Sequence, residues 1–184
     1  MRTCIVLLLL ATASVHSTEA QGPTETPEQV ASHFMDAMRS GDWHTMAVLM
    51  HRDALSEMRR LLAALFEAPR ADAFRQQLLG VTTVAAAQAL SDTAVFASLM
   101  RATTQGNAGL SDVLRSAKVQ MLGHIDEGSD TTHVVYRMAM SIDGMSITRM
   151  DVMSLSRTPN GWRGLLKGDV SALAAGIRAA IGPQ

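Results

Sequence analysis

At Lys118 the spacing of apolar residues changes from about 3.6 to two, and nothing else in this sequence restricts its fold as strongly. Upstream the pattern is helical. Downstream, "KVQMLGHID", "THVVYRMAMSI", "MSITRMDVMSLSR" and "WRGLLK" alternate apolar with polar residues. They are separated by Glu127-Gly128-Ser129-Asp130, Asp143-Gly144 and Pro159-Asn160-Gly161, each suited to a hairpin turn. Helices first and an antiparallel meander afterwards predict an α+β fold of about four strands, with helices on one face of the sheet.

The helical half is punctuated clearly. In "TPEQVASHFMDAMRSGD" Thr26 is an N-cap, Pro27 takes the first helical position, Gln29 closes a capping box and Gly41 terminates. Val30, Phe34, Ala37 and Met38 make the apolar stripe. Asp42 caps a second helix whose Trp43, Met46, Ala47, Leu49 and Met50 face a core. Further helices follow over 54–68, stopped by Pro69, over 72–79, stopped by Gly80, over 84–104 with a cut at Ser91-Asp92, and over 110–117. Gly168-Asp169 caps a last helix through about Ile181.

The 184 residues suit one domain, expected over 27–181 after a disordered lead at 21–26. Sixteen Lys+Arg against 17 Asp+Glu leave no excess charge to grip a phosphate backbone, so nucleic acid is not an expected partner. Arg59-Arg60 reads as a solvated helix face. "MRTCIVLLLLATASVHSTEA" carries one positive charge, an apolar run and small residues at Thr18 and Ala20. This reads as a secretory signal peptide over 1–20, cut after Ala20 with Ala13 and Ser17 as alternative cleavage points, and predicts a secreted or periplasmic protein without a transmembrane segment. Cleavage would remove Cys4, the single cysteine, leaving neither disulfides nor a thiol nucleophile.

"ASHFMDAMRSGDWHTMAVLMHRDAL" and "HVVYRMAMS...NGWRGLLKGD" resemble the NTF2-like superfamily, which includes SnoaL-like proteins and ketosteroid isomerases. The resemblance implies a curved antiparallel sheet wrapped over the N-terminal helices as a cone with an apolar pocket, and pairing of two copies through the sheet's outer face. The segment from 54 to 117 is more helical than such proteins usually have, with only "VTTV" to stand for an early strand pair. Where the isomerases carry a tyrosine and a general base, the alignment puts Phe34 and Met58, and neither moves a proton.

A two-residue loop at Asp143-Gly144 sets Ile142 opposite Met145, Met140 opposite Ile147, Met138 opposite Arg149, Tyr136 opposite Asp151 and Val134 opposite Met153. Eight of these ten are apolar, so this face is expected to meet the helices. Arg149 and Asp151 on it must then pair with each other, reach the cone's mouth or meet a ligand. The thioethers suit both core packing and an adaptable apolar site. The candidate pocket comprises Phe34, Trp43, His51, Tyr136, Met138, Arg149 and Asp151, with His51 and Asp151 as an acid/base pair in a catalytic version.

His44 and His51 lie about 10 Å apart in rise, too far to share a metal. His124 and His133 flank the first hairpin with Asp126 and Asp130, a set met more often as a solvated turn, so neither metal nor cofactor is expected. HExxH, GxSxG, Walker and GxGxxG patterns do not occur. The reading is a non-catalytic domain binding a small apolar ligand or a protein partner. The alternative is a small cofactor-independent isomerase, dehydratase or hydrolase using the pocket. A third reading is a homodimer through the outer sheet face, with Trp162 in contact.

Overall fold

A computed structural model describes residues 25–68, 70–142, 144–166, 175, 176 and 179. The expected signal peptide, most of the expected lead, Pro69, Asp143 and the expected last helix therefore lie outside the described residues, except that 175, 176 and 179 are helical. The helices are α1 (Pro27–Ser40), α2 (Trp43–Val48), α3 (Arg52–Leu61), α4 (Ala63–Glu67), α5 (Asp72–Leu79), α6 (Val84–Ala89), α7 (Asp92–Gln105) and α8 (Ala108–Ser116). The strands β1 (Lys118–Glu127), β2 (Thr131–Ile142), β3 (Met145–Thr158) and β4 (Gly161–Gly164) form an antiparallel sheet in sequence order. The fold is α+β.

Helix α1 begins as its sequence dictates. The Thr26 amide donates to Gln29 Oε1 at 2.8 Å and the Gln29 amide to Thr26 Oγ1 at 3.3 Å, so both halves of the capping box are made. Gly41, at φ 74°, closes the helix in the left-handed region that a side chain would resist. Asp42 caps α2 through the Thr45 amide, and His51 caps α3 by accepting from the Asp53 amide at 3.2 Å. The expected helix over 54–68 divides at Leu62 into α3 and α4. "VTTV" makes no strand, because Thr83 is instead the cap of α6.

Two apolar clusters result. One lies in the helical half, built from α1 to α7 around Met58, Leu62, Leu65, Val95 and Leu99. The other lies between α1 and the sheet, where Val30, Ala31 and Met35 meet Val134, Tyr136, Met138, Met153 and Leu155. Phe34 and Met38 are half-buried and touch both clusters, so α1 is the shared wall.

Two arginines hold the helical half in ways the sequence reading did not foresee. Arg75 is 1% exposed and donates to the carbonyls of Leu65, Ala68 and Thr82, with Asp72 as its charge partner. Arg59 was expected on a solvated face, yet it donates to the carbonyls of Gln88 and Leu90 and pairs with Asp92 at 3.2 Å. Its guanidinium also lies 4.5 Å from the centre of the Phe66 ring. Arg60 does face water, paired with Glu57.

The β2/β3 register is the one read from the two-residue turn, from Ile142 opposite Met145 to Val134 opposite Met153. Burial along that face needs correction. Val134, Tyr136, Met138 and Met153 are buried, whereas Met145 is 63% exposed, Ile147 40%, and Arg149 also faces water. The cause is length: the 12 residues of β2 span about 40 Å, while the 14 of α1 span about 21 Å. The hairpin outruns the helix that covers it. Trp162 also departs from expectation. It stands opposite Arg157, on the Leu155 side of the sheet, and packs on the inner cluster under the Arg157 guanidinium rather than on the outer face.

Candidate functional site

Where α1, α2 and α7 meet the sheet, the packing leaves a cavity of about 270 Å³. Helix α1 contributes Phe34, Met35 and Met38, and α7 contributes Phe96 and Met100. Met46 comes from α2, and Met50 from the segment that runs beside β4, where the amide of His51 donates to Gly164 O and that of Gly164 to Leu49 O. The sheet supplies Tyr136, Met138 and Met153, and Leu165 and Leu166 complete the wall. Seven of the lining residues are methionines. Thioether side chains are unbranched and polarisable, so such a wall can reshape around occupants of different outline.

Gly164 sits behind this wall. A Cβ there would come 2.9 Å from Met153 Cε and 3.1 Å from Met50 Sδ. The missing side chain lets both methionines sit back from the cavity.

The polar content is small. Tyr136 brings a hydroxyl-bearing ring into the lining, directly opposite Asp151 in the register. Ser154 also borders the cavity, but between the inward Met153 and Leu155 its side chain points to the other sheet face, where Oγ lies 2.9 Å from His133 Nδ1. His133 Nε2 is in turn 2.8 Å from Glu127 Oε2. These three have the composition of a nucleophile, base and orienting acid, but they lie along an open strand face with Glu127 exposed. A cross-strand network accounts for them.

The seven candidate residues do not converge. Phe34, Tyr136 and Met138 line the cavity, while Trp43 lines a separate one at the end of α1. His51 is occupied as the α3 cap. Arg149 Nη2 lies 3.0 Å from Asp151 Oδ2, with the two side chains 61% and 24% exposed, and Asp151 Oδ1 also accepts from the Val152 amide. So exposed a pair stabilises the hairpin by about 1 kcal/mol at most. The spacing of Met38, Met46 and Met50 marks an inward face without telling a filled core from a hollow one.

Among the described residues no group of three or more His, Cys, Asp or Glu is placed to hold a metal ion. Nor is any described helix long and apolar enough to cross a membrane. At the front of the sheet, His124 Nδ1 lies 2.5 Å from Glu28 Oε1, tying β1 to the first turn of α1. That bond raises the imidazole above its ordinary value and holds the Glu28 carboxyl below its own.

No family model matches the chain, and no curated protein matches its sequence. Solved structures do. One is an NTF2-like protein from Campylobacter jejuni, 14% identical, with 78% of this chain and 100% of that chain covered at a TM-score of 0.42. Another is an NTF-2 like protein of unknown function from Shewanella oneidensis MR-1, 10% identical, with 74% and 89% covered at a TM-score of 0.40. The chain is similar to NTF2-like proteins. The cavity lies between the helices and the inner face of the sheet.

Proposed function

We propose that this chain is an exported, non-catalytic binding protein whose methionine-lined cavity holds a small apolar ligand. The observation that carries this reading is the lining itself. Among the described residues no His, Asp, Glu, Lys or Arg lines it, so an occupant would meet apolar side chains and the Tyr136 ring there. The catalytic alternative needs His51, Tyr136, Arg149 and Asp151 around one opening, and only Tyr136 borders the cavity. Native mass spectrometry of the protein purified from its natural compartment tests the reading. A non-covalent adduct released on activation supports it, and a clean apo mass under conditions that preserve a known protein–lipid complex counts against it.

A second reading, pairing of two copies through the outer sheet face, is favoured by the apolar side chains exposed there. Ile125 is 65% exposed, Met150 62%, Leu122 40% and Val152 39%. Sedimentation at micromolar concentration decides it: a two-chain mass supports pairing, and a single-chain mass throughout excludes it.

A further inference from the structure

The methionine-lined cavity has a neighbour one helical turn away along the same three helices. Where Met38, Met46 and Met100 border the first, Gly41, Trp43 and Thr104 border the second, which is also about 270 Å³. Met38 borders both. The second cavity differs in charge: among the described residues Arg39 and Arg115 line it and no carboxylate does.

We propose that the ligand is an amphipathic carboxylate, its head held between Arg39 and Arg115 and its apolar tail in the methionine-lined cavity. This rests on the binding reading above. Arg39 supplies the sharpest observation. Its Nε is hidden from water and has no hydrogen-bond partner, a state that costs free energy until an acceptor arrives. Its Nη1 pairs with Asp36, 3.3 Å away, with both side chains well exposed. Arg115 is similarly held, by Asp112 at 2.9 Å on an open surface. Pairs of this kind are weak, so either guanidinium can turn to an incoming carboxylate, whose two oxygens match its fork.

Helices α1 and α7 both end beside the second cavity, each presenting roughly half a negative charge. The two arginines offset these ends, and because Asp36 and Asp112 lie beside them, what favours a carboxylate is the hydrogen-bonding fork of a guanidinium that turns to it and not a net positive charge. Both arginines lie in the last turns of their own helices, where a cation offsets the negative end. That explains their position but not an unpartnered Nε beside a cavity. Met38 borders both cavities, and a side chain with three rotatable bonds can swing aside to join tail and head.

Titration calorimetry of the full-length mature protein with decanoate and with 1-decanol, at neutral pH and low salt, tests the head-group assignment. Decanoate is expected to bind roughly tenfold tighter or more, the scale of a charge-assisted pair. In the R39Q/R115Q double variant that preference disappears while 1-decanol binding stays, which also shows that the variant is folded. Equal affinities in the natural protein, or a preference that survives the double substitution, overturn the head-group assignment and leave the apolar cavity standing. Failure of both ligands to bind overturns the cavity reading and this inference together.

Discussion

Arg75 shows how much one side chain can hold in a half of the molecule built from short helices. Its guanidinium gathers carbonyls from the end of α4, the turn after it and the turn after α5, so three chain segments share one donor group. Replacing it with Met would keep much of the volume and orphan those carbonyls, and we expect a loss of about 3–5 kcal/mol in urea denaturation. Nothing in "DAFRQQLL" announces this, because the partners are backbone atoms brought in by tertiary structure. The His124–Glu28 bond makes a pH prediction. The raised imidazole contributes stability that is complete below its ordinary 6.5 and is lost as pH rises through the raised value. The lowered carboxyl contributes stability present above its ordinary 4.5 and lost as pH falls through the lowered value. Both contributions coincide between 4.5 and 6.5. Glu28→Gln should therefore lower the thermal midpoint most in that window and far less near about pH 9, where His124 is neutral. Equal loss at both pH values would contradict the account, since Asp126, 3.7 Å from Nε2, would then carry the linkage.

At the scale of elements, the sheet tests the cavity independently of any one lining residue. Gly164→Ala would push on the tips of Met50 and Met153, both flexible ends, so the strand should tolerate it with a loss of about 1 kcal/mol or less. The displaced thioethers have the cavity to move into. We expect weaker ligand binding with an almost unchanged thermal midpoint; unchanged binding would mean that this wall does not shape the site. The register of β2 on β3 was legible because a two-residue turn and a period of two leave one consistent pairing. Burial along that hairpin was not, since pattern reports which way a side chain points and not where the covering helix stops. Arg149 and Asp151 are the consequence: they share the inward face of the sheet and still meet water beyond the helices.

For the molecule as a whole, the order of helices and strands was readable from the change of period at Lys118, and the division into two apolar clusters was not. Whether a stripe of methionines packs solid or encloses space depends on how α1, α2 and α7 seat against the sheet, which local sequence does not encode. Export belongs to this scale too. Intact-mass measurement of the protein from its source should show a chain beginning at Gln21, and retention of residues 1–20 would contradict the exported reading. The central claim is that the methionine-lined cavity is the binding site, and methyl NMR of methionine-labelled protein titrated with 1-decanol tests it most directly. The account predicts saturable shifts at the methyls of Met35, Met46, Met50, Met100, Met138 and Met153, with the exposed Met145 and Met150 unmoved. Shifts confined to Met145 and Met150, or none at any cavity methyl, would contradict it.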